Sequence, residues 1–282
     1  MRQDWVVDLA PRHKLGLPVT SRVLAGPGMS RLGFPPQILY NVDGLGAIVI
    51  GPWTGYGENE RYPVLYARGG GVFWAPPRPP RHTRVTLQRL RAAWHRVPVP
   101  FIASLGPYDV VHVRDVAHHM GECDMVFGLL LEVGEAEEVG LMVARLTTAV
   151  DASALPVWVA LPTTRVTELA EICVRAGADA LVVSTPPMGA WPHRGGWVEG
   201  YMYGPVLLPR TLAAVREARS VVGMEVPIIA LGGVHSPEDA LLCREAGADA
   251  VMLDTALWVE PDLPARIWAA WRELEEDEDE TI

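Results

Sequence analysis

The sequence predicts a closed (β/α)8 barrel, and three observations predict it. Eight short apolar runs, rich in β-branched residues, recur along the chain: Arg22–Ala25, Ala47–Ile50, Phe101–Ser104, Val126–Glu132, Val157–Leu161, Ala180–Ser184, Ile228–Leu231 and Ala250–Leu253. The runs are continuously apolar rather than alternating, as parallel strands covered by helices on both faces are. Longer helix-like stretches separate them, and eight such units close a barrel of about 250 residues. The 282 residues present suit one such domain.

The elements follow in order. Before the first strand, WVVDLA (5–10) and LGLPVTSRV (15–23) are expected to pair as a hairpin plugging the barrel bottom. Segment 83–96 reads as a helix capped by Thr83. In SPEDALLCREAG, Ser236 is the cap, Pro237 holds the first helical position and Gly247 is the stop. CVRAGADALVVSTPP (Cys173 to Pro187) echoes CREAGADAVMLDTAL (Cys243 to Leu257): helix end, glycine stop, strand, loop. With two clear copies, this is a repeated βα unit within a barrel rather than a solenoid. Residues 1–272 are assigned to one barrel domain. Residues 273–282, led by ELEEDEDE, read as an acidic disordered tail, because closely packed like charges repel.

Two connections are longer than a minimal barrel needs. Residues 53–82 follow the second strand and include Pro76 to Pro80, a stiff polyproline brace. TPPMGAWPHRGGWVEGYMYGP follows the sixth. Long loops in compact domains are usually functional, and both project from the C-terminal face, where barrels place their sites. They carry Trp53, Tyr56, Phe73, Trp74, Trp191, Trp197, Tyr201 and Tyr203. Three readings stand together: a lid over a flat ligand, a subunit surface, or loops packed on themselves.

Composition narrows the function classes. A net charge of −10 argues against a nucleic-acid backbone as partner. No run of about 20 apolar residues suggests a membrane span, and the charged start MRQDWVVDLAPRHK lacks a signal-peptide core, so a cytoplasmic protein is expected. Cys123, Cys173 and Cys243 suggest no disulfide framework. His112, His118, His119 and Cys123 lie in the helix after the third strand, outside the barrel, and no metal site is expected there. Lys14 is the only lysine in the chain.

The most specific local signal is a pair of loops. ALGGVHSPED after the seventh strand brings Gly232 and Gly233, which let backbone approach a ligand, followed by a helix start. LDTALW follows the eighth, and barrels commonly build a phosphate site from these two loops.

On these residues the chain resembles the dihydroorotate dehydrogenase family of FMN-dependent (β/α)8 barrels over nearly its full length. RVLAGPGM resembles the family's first strand, GLGAIVIGPWT the second, and GYMYGPVLLPRTLAAVREA the segment entering the sixth helix. VPIIALGGVHSPEDALLCREAGADAVMLDTALW is the most specific match. The resemblance implies FMN held by Ala25, Gly26, Ser184, Gly204, Gly232, Gly233, Asp254 and Thr255, and oxidation of dihydroorotate to orotate in pyrimidine biosynthesis.

The same resemblance marks substitutions. The family lysines after strand two and in strand five fall on Gly51 and Ala160. Glu132 is kept after strand four, but Gly134 stands at the family asparagine, and the loop has no Cys or Ser base. The substrate-gripping asparagine falls near Trp74; the Asn-Thr and Ser-Gly pairs become Ser184-Thr185 and Tyr203-Gly204. No catalytic residue is therefore assigned. The alternatives are a non-redox barrel for another small ligand, or a non-catalytic subunit in a homo- or hetero-oligomer. Asp254 replaces a family glycine whose N–H faces the FMN phosphate. It reads either as a cap on its own following segment, or as an acid facing the cavity. Arg210 and Arg194 are its candidate neutralising partners by loop position.

Overall fold

The structure of the chain, a computed structural model, describes residues 6–30, 41–52, 64–75, 94 and 97–280. It opens with β1 (Val7–Asp8) and β2 (Pro18–Val19), an antiparallel pair in the register Val7 to Val19. Asp8 fixes the intervening turn by accepting from the N–H groups of Ala10 and Leu17. This is the expected hairpin.

The barrel is then laid down in sequence: β3 (Val23–Ala25), β4 (Ala47–Ile50), β7 (Phe101–Ser104), β8 (Val126–Glu132), β9 (Val157–Pro162), β10 (Ala180–Thr185), β13 (Ile228–Leu231) and β14 (Ala250–Leu253). All neighbours are parallel, and β14 closes the ring on β3 with Leu253 beside Ala25. The (β/α)8 barrel is as expected.

Alternation sorts each strand's residues into two cores. Leu24, Val49, Ile102, Leu130, Trp158 and Met252 fill the barrel interior. Their neighbours Val23, Ile48, Phe101, Leu129, Val157 and Val251 face the surrounding helices. Leu9, Ala10, Leu17 and Val19 of the hairpin join the inner cluster, and Trp158 Nε1 donates to the Leu9 carbonyl at 3.1 Å. The hairpin thus seals the end of the barrel away from the functional loops.

The described helices are α1 (Pro27–Ser30), α2 (Val110–Gly121), α3 (Val139–Ala152), α4 (Val166–Arg175), α5 (Leu208–Val222), α6 (Pro237–Glu245), α7 (Ala256–Val259) and α8 (Leu263–Glu280). Ser236 caps α6 by accepting from Asp239 N–H at 3.1 Å. The repeated unit has a structural cause. In each copy a left-handed glycine (Gly177, φ 106°; Gly247, φ 110°) ends the helix. The following aspartate then accepts from the first N–H of the preceding barrel strand, Asp179 from Val157 at 2.8 Å and Asp249 from Ile228 at 2.7 Å. The motif pins adjacent strand starts together at the barrel bottom.

Both long connections build a second sheet. β5 (Val64–Arg68) and β6 (Gly71–Ala75) form one hairpin, β11 (Met188–His193) and β12 (Gly196–Tyr203) another. They join as an antiparallel sheet in the order β11-β12-β6-β5, with Tyr201 beside Trp74. The Thr83 helix, Trp53, Tyr56 and Pro76 to Pro80 lie outside the described residues.

The acidic run differs from expectation. It is not a frayed tail but the last turns of α8, helical to Glu280. Glu275 pairs with Arg22 at 2.8 Å, and Glu278 takes both terminal nitrogens of Arg244 at 2.5 and 3.0 Å. Arginines on the barrel wall offset the repulsion that the sequence alone displays.

Cys173 and Cys243 face the helix–strand core, and burial pushes each thiol up to about 12. Cys123 is partly exposed. A thiol reagent at neutral pH is expected to modify one cysteine per native chain and three on denaturation. Because the native thiols hold their protons above the unfolded value of 9.0, stability should fall as pH rises beyond about 9. Labelling of all three in the native state would contradict this burial.

Candidate functional site

Continuing the inward alternation past the apolar core places a polar layer at the C-terminal mouth. Ser104 ends β7 and Glu132 ends β8, each two residues beyond an interior side chain. Ser104 Oγ donates to Glu132 Oε1 at 2.5 Å. Asp254 stands two residues beyond Met252 and is buried. Ser184 is also buried, with Thr211 Oγ1 at 3.3 Å.

The two loops meet as the sequence predicts. Gly204, Gly232, Gly233, Asp254 and Thr255 surround one cavity of about 20 Å³, with Tyr203 and His235 on its wall. Ser184 faces a neighbouring cavity of about 10 Å³, together with Thr163, Thr185 and Arg210. Leu207 and Gly232 border both cavities. Ala25 and Gly26 lie on the other side of Asp254, where Gly26 N–H donates to the Leu253 carbonyl at 2.7 Å across the closing strands.

The Asp254 carboxylate makes a long-range contact with the segment that follows the first barrel strand. Its Oδ1 accepts from the N–H of Gly28, 226 residues away, at 2.8 Å. Side chains at Gly26 or Gly28 would begin 2.9 and 2.5 Å from the same oxygen, so glycine is required at both for this approach. Arg194 is exposed at the tip of the β11–β12 hairpin, and Arg210 serves the smaller cavity.

The lid sheet turns one face to this mouth. Trp74 is 3% exposed and meets Trp258 of α7 edge to face, ring centres 5.3 Å apart. Tyr203, on the same face, reaches the larger cavity. On the other face Trp191 stacks on Tyr66 at 4.9 Å, with Arg68 over its ring. Of the three readings for the aromatic loops, packing and covering the mouth account for Trp74 and Tyr203. Trp197 stays 76% exposed.

One functional support escapes the motif reading. Arg145 of α3 is 1% exposed. It pairs with Glu137 and donates to the carbonyls of Gly106 and Glu132, the latter at 3.1 Å. Glu137 in turn accepts from Gly134 N–H at 3.0 Å, and Arg165 donates to the Glu137 carbonyl at 2.5 Å. The loops after β7 and β8 are locked to each other. The available signal was spacing: Met142, Arg145, Leu146 and Ala149 form one buried stripe, with an arginine inside it.

The residues here differ from those that the resemblance implies for FMN. The corner expected to take its phosphate holds a carboxylate already and has room for about one water molecule. A carboxylate about 4 Å from one phosphate charge costs about 1 kcal/mol in water and about 4 at an effective dielectric of 20. One or two backbone hydrogen bonds, at roughly 0.5–1.5 kcal/mol each, do not offset the higher figure. Ala160 is 1% exposed inside the barrel, and Lys14 lies in the hairpin turn at the opposite end. Neither family lysine has a substitute among the lysines of this chain.

Comparison with known proteins agrees with the barrel and its loops. The family model for dihydroorotate dehydrogenase matches residues 141–275, which include the loops bearing Ser184, Gly204, Gly232, Gly233 and Asp254. The catalytic subunit of dihydroorotate dehydrogenase B (NAD(+)) from Geobacillus sp. (strain WCH70) is 27% identical over 271 residues, 87% of this chain and 84% of that protein. A dihydroorotate dehydrogenase (quinone) from Chelativorans sp. (strain BNC1) is 36% identical over 108 residues, 36% of this chain and 28% of that protein's length. Among solved structures, DHODH from Eimeria tenella in complex with ferulenol shares the fold. The TM-score is 0.79 at 15% identity, over 99% of this chain and 87% of that one.

Proposed function

We propose that the chain is a divergent member of the dihydroorotate dehydrogenase family that works without the family's flavin, binding a small organic ligand at the C-terminal mouth of the barrel. The observation that carries this reading is Asp254, whose carboxylate sits in the corner between the two glycine loops and is held there by Gly28. Ser184, Thr185, Arg210 and the Ser104–Glu132 pair supply hydrogen-bonding groups around the mouth, and Trp74 and Tyr203 cover it. A few convergent polar groups beneath apolar walls suit a small neutral ligand.

The test is direct. Purified protein is expected to be colourless, to retain no FMN after incubation and gel filtration, and to leave dihydroorotate unoxidised. Stoichiometric yellow flavin would overturn the reading. The second reading would then hold: FMN-dependent oxidation of dihydroorotate to orotate, the activity in the relatives' names. The retained Gly204, Gly232 and Gly233 favour it, since they keep the outline of a cofactor corner.

A further inference from the structure

The geometry points to Trp74 and Trp258 as a paired donor site, whose indole N–H groups bind a carbonyl oxygen of a neutral ligand beneath the lid. This deepens the proposed function and rests on it for a small ligand at the barrel mouth. Trp74 belongs to the lid strand β6 and Trp258 to the short helix α7. Their rings meet at 87°, with centres 5.3 Å apart. Both indole Nε1 atoms are buried and, among the described residues, neither has a hydrogen-bond partner. In a perpendicular pair one ring turns its edge to the other's face, so the ring contact can receive at most one of the two N–H groups. At least one donor is therefore buried with nothing to receive it, a costly state that calls for an acceptor. The pair also stands at the lid side of the mouth. Ala256, two residues before Trp258, and Tyr203, on the same lid face as Trp74, both border the larger cavity.

An indole N–H donates and cannot accept, so the pair selects for an acceptor on the ligand. Charge decides which acceptor. Glu132 and Asp254 already place two carboxylates at the mouth, and a ligand carboxylate would meet their repulsion. The carbonyl of a ketone, ester or lactam accepts without carrying charge.

The experiment is a titration of the whole chain, labelled with nitrogen-15 at tryptophan, followed through its indole N–H signals by NMR. The probes are cyclohexanone, methylenecyclohexane, which puts CH2 in place of the oxygen, and cyclohexanecarboxylate. The signals lost in Trp74→Phe and in Trp258→Phe assign the pair. Cyclohexanone should move at least one of the two downfield and saturably, and the other two probes should move neither. Trp271, whose Nε1 is equally unpartnered but whose ring packs against Arg22, should stay in place with all three. Removing the responding indole should weaken cyclohexanone roughly tenfold, the loss of one buried hydrogen bond. If a phenylalanine variant does not fold, the wild-type spectrum still decides. An unpartnered indole N–H resonates upfield of a bonded one, and such an upfield signal must move with the ketone and not with the alkene. No response to cyclohexanone, an equal response to the alkene, or a response to the carboxylate overturns the inference. The flavin-free reading does not fall with it, because only FMN uptake by the wild type overturns that reading.

Discussion

Replacing Trp158 with alanine is expected to destabilise the protein by about 3–5 kcal/mol, the range for deleting a large buried aromatic side chain. Trp158 is fully buried at the centre of the barrel interior, and its indole joins two parts of the molecule that share no secondary structure. The ring fills the space between Leu9 and Leu17 of the hairpin and the inner strand residues. Its N–H satisfies the Leu9 carbonyl. Truncation leaves both a cavity and an orphaned carbonyl. Trp158→Phe separates the two effects: most of the volume stays, and only the hydrogen bond is lost, at about 1–3 kcal/mol. Urea denaturation measures both losses. Hydrogen exchange over residues 6–19 should rise in each variant. Protection unchanged from wild type would show that the hairpin is not anchored through Trp158.

Replacing Arg145 with alanine should cost a similar amount, about 3–5 kcal/mol, because it strands a buried partner charge. The Glu137 side chain is 7% exposed, and Arg145 also satisfies two carbonyls in the loops after β7 and β8. The effect should extend beyond stability. Without the guanidinium the turn 133–138 loses its fixed point, so protease cleavage there should appear while the rest of the barrel remains resistant. Arg145→Lys supplies charge but not a planar fork, and should recover a minor part of the loss. A double-mutant cycle with Glu137→Gln should show coupling above about 1 kcal/mol. Additive losses would mean that the ion pair contributes little and the carbonyl bonds dominate.

The barrel was legible because its strands are buried on both faces, which concentrates Val, Ile, Leu and Ala into runs that surface segments cannot imitate. Five of the eight runs match the structural strands residue for residue, and the other three differ by one residue at an end. Arg22 falls outside its strand because its side chain turns to the Asp249 carbonyl at the barrel bottom. The lid sheet was read only as long loops. Its strands are rich in Gly, Pro and aromatics, and the signal lay in the two-residue turns Gly69-Gly70 and Arg194-Gly195. The glycine corner was legible from two loops near each other in sequence. The role of Asp254 was not, since its partner Gly28 lies at the far end of the chain. Local reasoning offers such a residue only local caps and nearby arginines. Arg145 was hidden for the opposite reason: a single charge within an apolar stripe is read as noise until its three acceptors are seen.

The seam at which β14 meets β3 also imposes an order of events during synthesis. At about 5–20 residues per second, the segment bearing Gly28 leaves the ribosome roughly 10–45 s before Asp254 exists. Throughout that interval the first barrel strand has one unpaired edge, a template for wrong pairing that the early hairpin cannot cover from its place at the barrel's end. The aspartate arrives with the last strand and fastens to the first segment in the same step that closes the ring. The corner thus forms only with the last barrel strand, and it distinguishes a closed barrel from every intermediate that lacks that strand.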